Sequence, residues 1–502
     1  MGLVLAFLLF LVVFFVWIVL RDYVIYNLYA MKIPTVQPVH RLFGHAGFFM
    51  GKNSCQLFRL MVKLYANVDR VGKLWMGPIP VLLVNHPDLI QQLMNKPEVY
   101  SKPFFYKYIG LNTSLITEQR GQMWRKHRKL LNPTFSTRVL TEFVPIMDAR
   151  ARKMVRTMAA FADGKSEVDI LPLTAECTLE MVFSTTMGCR MEERDGQKQY
   201  VRSLEKVMEC IGERILNIDR YLEPVYRFTK AYKNDKITRD FCNGFTDQII
   251  QERKKQLADC EGKAVKEGGS QAKSLNFLDQ ILTILRQDGT YFPDKEISDH
   301  LYGIVAAGND TSSLSISYTC LFLAMYPEHQ AKVVAEIREV FPSPHTAVNQ
   351  DTLRQLEYTE MVLKETLRLC PVVPFIGRNN AEPIELDGFQ IPPWQHICFN
   401  FYSLHRRKDF WGPDPERFDP DRFRPEAVKE RHPYAYLPFS GGFRNCIGNR
   451  YAMNSLKIML VRILQEFKLD TSIRQADMRF RWAITAKLVG PHAVTLTKRN
   501  LY

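Results

Sequence analysis

The sequence predicts a mainly α-helical fold with small peripheral β-sheets, preceded by one transmembrane helix. Three observations carry this. Long stretches with apolar residues at helical spacing dominate the chain: Arg138 to Phe161, Glu192 to Leu216, Arg239 to Leu257, Asp294 to Met325 and Pro327 to Val340. Strand signals cluster in only two places. A single uncharged apolar run, Gly2 to Leu20, opens the chain.

That opening run covers about 30 Å at ~1.5 Å per residue, the thickness of a bilayer core. No Lys or Arg precedes it, and Phe14, Phe15 and Trp17 stand where a signal peptide would carry small residues at a cleavage site. The reading is therefore an uncleaved anchor. Arg21, Lys32 and Arg41 follow the span, which puts the rest of the chain in the cytosol by the positive-inside rule. Pro34 and Pro38 stiffen a linker, giving an anchor over 1–20, a linker over 21–40 and one body over 41–502. Within the body, Lys73 to Val84 reads as a β-hairpin around Gly77-Pro78; Ile384 to Leu404 and the terminal Ala493 to Leu496 carry the other strand signals. Arg253 to Lys273, rich in Lys, Glu and Gly, reads as a solvated excursion between helices.

The composition is that of an ordinary globular protein, with 46% hydrophobic and 24% charged residues, which excludes disordered, collagen-like and disulfide-scaffold classes. Lys and Arg outnumber Asp and Glu by 67 to 53, so the net charge is +14 and an anionic partner is expected: nucleic acid, anionic lipid or an acidic protein. Ten cysteines are scattered with no C-x-x-C spacing. Any metal must then be held by one protein ligand or inside a cofactor.

One cysteine differs from the rest. Cys446 lies in Phe439-Ser440-Gly441-Gly442-Phe443-Arg444-Asn445-Cys446-Ile447-Gly448, ahead of a helical pattern from Asn449 to Phe467. The glycines allow a tight loop with positive φ. A helix N-terminus and Arg444 favour thiolate, and a lone stabilised thiolate suits an axial ligand to haem iron.

This F-x-x-G-x-R-x-C-x-G stretch resembles the haem-binding signature of the cytochrome P450 family, and the likeness extends over essentially the whole body. The resemblance implies a cytochrome P450 fold and haem b held non-covalently, with Cys446 as the iron ligand and Phe439 beside it. Glu365-Thr366-Leu367-Arg368 is similar to the family's E-x-x-R; with Arg417 of Pro415-Glu416-Arg417-Phe418 it would form a buried charge cluster of structural rather than catalytic role. Ala306-Ala307-Gly308-Asn309-Asp310-Thr311 resembles the distal-helix motif. There Gly308 would leave room for dioxygen, Thr311 would hydrogen-bond the reduced oxygen, and Asp310 would relay protons from solvent. Trp124-Arg125-Lys126-His127-Arg128-Lys129 resembles W-R-x-x-R. At 100° per residue, Trp124 and Arg128 share one face and Arg125 and Lys129 another. By resemblance the first pair, with Arg378 and Arg444, would bind the haem propionates. The second face either faces an acidic electron donor or is simply solvated.

Phe277-Leu278-Asp279 and the stretch from Tyr358 to Arg378 look most like the microsomal fourth family and its relatives. In many of those a Glu precedes the helix glycine and can be esterified to haem; here the position is Ala307. Phe104, Phe105, Leu115, Ala306, Val373, Phe375, Ile376 and Ile484 would line a pocket for a lipophilic substrate such as a fatty acid, terpenoid, steroid or xenobiotic, or else be ordinary core. The implied activity is O2-dependent monooxygenation, with electrons from NADPH through NADPH–cytochrome P450 reductase, cytochrome b5 as a further donor, and the endoplasmic reticulum membrane as the setting. The basic charge then belongs to membrane lipid and an acidic reductase, not to nucleic acid. Two rival readings are a haem-thiolate isomerase or dehydratase of peroxides, against which the Asp310-Thr311 pair argues, and a membrane-tethered haem- or ligand-binding protein without turnover.

Overall fold

Asp294–Met325 forms one helix with the bounds that the sequence pattern predicts. Its 32 residues make it about 48 Å long, and it is buried on nearly every side. It is the axle of the structure. Leu171–Val182 packs closely along it because small and hydroxylated residues meet at the crossing. Thr178 donates to Asn309 Oδ1 at 2.7 Å, and Thr174 and Ser317 hydroxyls lie 2.8 Å apart. Gly308 sits in the same seam, where a Cβ would come within 2.9 Å of Val182 Cγ2.

Around this axle lie the helices Thr137–Met158, Gln197–Leu216, Lys230–Glu267, Pro327–Val340, Glu357–Leu369 and Asn449–Glu466. The computed structural model describes every residue except 1–8, 18–19, 21–31, 41–43, 77–78, 112, 190–195, 217, 222, 268–275, 287–288, 500 and 502. The helix expected from Arg239 to Leu257 is longer at both ends, and part of the expected surface excursion after Arg253 is helical up to Glu267. The reason is propensity: Lys, Glu, Gln and Ala are strong helix formers even where no apolar stripe marks them.

The sheets are small and peripheral. Val71–Met76 pairs antiparallel with Ile79–Val84; the turn expected at Gly77-Pro78 lies outside the described residues. Ile79–Val84 pairs parallel with His396–Asn400, which pairs antiparallel with Phe375–Asn379. A second sheet has Ala493–Lys498 between Glu167–Asp169 and Phe467–Asp470, all antiparallel. Phe480–Ala483 and Thr485–Leu488 form a hairpin that reverses at Ile484, whose φ is 68°.

The predicted anchor is only partly within the described residues. Residues 9–17 are helical with exposed apolar side chains. No helix among the described residues is long and apolar enough to cross a membrane, so the structure does not carry the transmembrane part of the expected fold. Much of the expected linker also falls on residues that are not described.

Candidate functional site

The Cys446 loop is held from several directions. Ser440 and Gly442 both have positive φ, and Gly442 lies so close to the Met94 carbonyl that no side chain fits there. Cys446 N–H donates to the Phe439 carbonyl at 2.9 Å, and Phe439 packs on the main core. Gly448 caps the helix Asn449–Glu466, so the thiol stands just before a helix N-terminus. Burial pushes the thiol pKa up, while a Gly448 backbone hydrogen bond and the Arg128 charge pull it down. Yet Cys446 keeps an open surface. A group surrounded by protein but open on one side faces an internal space.

Three cations converge near this loop. Arg444 donates to the Glu118 carbonyl at 2.8 Å through one Nη and stacks on Trp124, 4.6 Å from the ring centroid. Its Nε and other Nη are buried with no hydrogen-bond partner among the described residues. Burial and the neighbouring Arg378 charge push its pKa down to about 8. Arg378 is itself buried and spends one donor on the Gly377 carbonyl at 2.9 Å. Lys102, which the sequence reading missed, is pushed well down by burial and by these two guanidiniums. Its ammonium lies 4.3 Å from the centroid of the Tyr106 ring. Buried cations left uncompensated are costly, and guanidinium donors match carboxylates, so the cluster is built to receive an anion.

Trp124 is buried while Arg125, Lys126 and Lys129 are exposed, which is the division of faces predicted for Gly121–Leu131. Arg128 departs from expectation. Its donors go to the Asn445 carbonyl (2.8 Å), Asn445 Oδ1 (3.0 Å) and Asn132 Oδ1 (2.7 Å). These bonds clamp the Cys446 loop.

The central helix carries a second partly open surface. Ile304, Ala307, Gly308 and Thr311 are half-exposed in an otherwise buried stretch, a stripe at i, i+3, i+4 and i+7 that borders open space. Ala306, expected in the pocket, is buried. Thr311 Oγ1 donates to the Ala307 carbonyl at 2.6 Å. Asp310 points to the Thr485–Leu488 strand, accepting from Thr485 Oγ1 at 2.7 Å and pairing with Lys487 Nζ at 3.0 Å. Of the other expected pocket residues, Phe104, Phe105, Leu115, Val373, Ile376 and Ile484 are half-buried. Phe375 is core, packed on Phe58 and Trp482.

The E-x-x-R pair is fully buried. Arg368 Nε and Nη2 each lie 2.7 Å from a Glu365 oxygen, and its remaining donors reach the carbonyls of His405 (2.9 Å), Pro415 (2.6 Å) and Arg417 (3.2 Å). The expected third charge is corrected: Arg417 is exposed and contributes only its carbonyl, and Arg422 takes the place beside Glu365 at 3.7 Å.

An anion-seeking cluster with two orphaned guanidinium donors, beside a thiol with one open face, fits haem: two propionates for the cations and iron for the sulfur. Fold and site thus define a haem-thiolate protein. The chain belongs to the cytochrome P450 family, whose model, "Cytochrome P450", matches residues 34–492. It is 31% identical to rat "Cytochrome P450 4V2", covering 89% of this chain and 86% of that protein. It is also 31% identical to "Probable cytochrome P450 313a4" of Drosophila melanogaster (85% and 86%), and 30% to "Cytochrome P450 4c21" of Blattella germanica (85% and 86%). The solved structure "Crystal structure of cytochrome P450DA heme domain" shares the fold, with TM-score 0.77 at 21% identity over 93% of this chain and 98% of that one. The protein is a monooxygenase of the oxidoreductase class, resembling the fourth family and its relatives.

Proposed function

We propose that residues 41–502 form a haem-thiolate domain that hydroxylates a lipophilic small molecule. The observation that carries this is the open-faced Cys446 thiol beside the unpaired donors of Arg444. Cys446 would ligate the iron, with Phe439 packed beside it; Arg444, Arg378 and Lys102 would take the propionates, Trp124 would support Arg444, and Arg128 would hold the loop. Haem, when bound, supplies dioxygen activation. The residues of this chain supply the rest. Asp310 and Thr311 hold and pass protons beside the open stripe of the central helix. Phe104, Phe105, Leu115, Val373, Ile376 and Ile484 supply apolar walls that orient a lipophilic substrate and exclude water.

Arg125, Lys126 and Lys129 form an exposed basic face suited to an acidic flavoprotein, so electrons come from NADPH through its cytochrome P450 reductase, with cytochrome b5 as a second donor. Gly2 to Leu20 supplies the anchor to the endoplasmic reticulum, leaving the domain in the cytosol. Ala307, where a Glu would be needed for an ester link, keeps the haem non-covalent. The test is the full-length holoenzyme with reductase in lipid vesicles, screened against fatty acids, terpenoids and steroids. A substrate-dependent rise in NADPH consumption matched by hydroxylated product is expected. Substrate turnover without NADPH, or no turnover across the three classes, overturns the reading.

A further inference from the structure

The helix Asn449–Glu466 begins beside Cys446 and ends, about 27 Å further on, at a cleft that the monooxygenase reading does not use. The cleft encloses about 220 Å³ where that helix and the start of Phe467–Asp470 meet the last two turns of Thr137–Met158. Its walls are of two kinds. Val155, Ala159, Pro344 and Phe467 make an apolar part, and the guanidiniums of Arg152, Arg156 and Arg462 make a basic one.

The charges around this opening do not balance. Asp148, Arg152 and Arg156 stand at i, i+4 and i+8, on one face of their helix. Asp148 accepts from Arg462 Nε at 2.6 Å and Nη2 at 3.0 Å, and from Arg152 Nε at 2.9 Å. Two guanidiniums thus share one carboxylate, and that carboxylate is not part of the cleft lining. Buried Arg462 gives its Nη1 to Gln465 Oε1 at 2.8 Å, whereas the two Nη groups of Arg152 have no protein partner among the described residues. The other cations of Thr137–Met158 each pair with a carboxylate, Arg138 with Glu142 and both Arg150 and Lys153 with Glu180. Arg156 is the exception among the described residues, and it is exposed at the rim. Glu466 also lines the cleft and forms an ion pair with none of the three arginines. A helix C-terminus favours a cation in its last turn, which accounts for one guanidinium there but not for three around one opening.

We propose that this cleft binds a small organic oxyanion, with its phosphate or carboxylate head held by Arg152 and Arg156 and its apolar body laid on Val155, Ala159 and Pro344. Guanidinium forks match either head. Arg462, already bonded to Asp148 and Gln465, adds positive potential without a further bond. The volume falls below the roughly 300 Å³ at which drug-sized pockets begin, so the body is a single ring or a short chain and not a lipid tail. A helix length separates the cleft from the thiol loop, so its ligand is distinct from the molecule that is oxidised. The inference therefore stands apart from the substrate reading.

The experiment titrates the full-length holoenzyme at low salt with phenyl phosphate, benzoate and inorganic phosphate, by calorimetry with the haem absorbance followed in parallel. Phenyl phosphate and benzoate should compete for one saturable site without shifting the Soret band, and the tighter of the two identifies the head. Inorganic phosphate should bind roughly 10-fold more weakly than phenyl phosphate, because it leaves the apolar wall unused. Arg156→Gln should weaken phenyl phosphate by roughly 10-fold, the scale of one charge-assisted hydrogen bond. Adding Arg152→Gln should abolish saturation. An unchanged reduced-carbonyl spectrum and an unchanged melt show that both variants are folded. Four results overturn the proposal: no saturable binding of either organic probe, binding that the double variant retains, binding that shifts the Soret band, or inorganic phosphate binding as tightly as the organic probes, which would mean an adventitious ion only.

Discussion

Replacing Arg368 by Met removes the guanidinium that satisfies a carboxylate from which water is fully excluded. Glu365 and Arg368 are both completely buried, and Arg368 also ties down three backbone carbonyls from the segment His405–Arg417. Breaking one partner of a buried pair costs about 3–5 kcal/mol, because the other charge stays behind. With an unfolding entropy of about 1 kcal/mol per kelvin for a body this long, the melting temperature should fall by about 3–5 °C. The loss should also depend on pH in a definite direction. Burial already raises the Glu365 pKa, with the Arg368 hydrogen bonds opposing it; without Arg368 it rises further. A carboxyl raised in the folded state binds more protons than the unfolded chain above about pH 4.3. The deficit should therefore be smallest below that pH and grow as pH rises through the folded value. Thermal melts of haem-loaded parent and variant from pH 4 to 8 measure it. A variant that melts with the parent at neutral pH, or loses stability towards acid instead, refutes the reasoning.

Gly308→Ala should bring a methyl within 2.9 Å of Val182, costing about 1–3 kcal/mol for overpacking against about 1 kcal/mol gained in helix propensity. Val182→Ala should then cost less in that background than in the parent, and additive melting shifts would show that the glycine does not serve this seam. His300 is buried against His127 and pushed down to about 3, by burial first and then by the His127 and Arg286 charges. Its neutral form stabilises the fold above about pH 6.5, and that contribution is lost as pH falls towards the folded value. His300→Phe should flatten this part of the acid stability curve, measured by denaturant melts. Arg444→Gln should leave the apo-protein as stable as the parent or more so, since an uncompensated buried charge is gone, and should lower haem affinity. Haem titration and apo-protein melts separate the two effects.

What the sequence shows and what it hides follow from the range of the interactions. The central helix, the two faces of Gly121–Leu131 and the Cys446 loop were legible because each is written in neighbouring residues: an apolar pattern, a 100° step, glycines before a helix start. The partners of those residues were not. Arg128 reaches Asn445, 317 positions away, and Thr485 reaches Asp310 across 175 positions. Lys102 stands in a segment with no helical or strand periodicity, and only its proximity to Arg378 and Arg444 marks it. The motif around Arg417 located the right loop, but the guanidinium that faces Glu365 belongs to Arg422, five residues further on. Gly308 was read as space for dioxygen; its missing Cβ points at Val182.

The central claim is that Cys446 alone supplies the sulfur that gives this protein its chemistry, and the reduced carbonyl complex tests it most directly. The parent holoenzyme should show the long-wavelength Soret band of a thiolate-ligated haem, and Cys446→Ser, with melts confirming that it folds, should lose that band. A Cys446→Ser protein that keeps it would contradict the account.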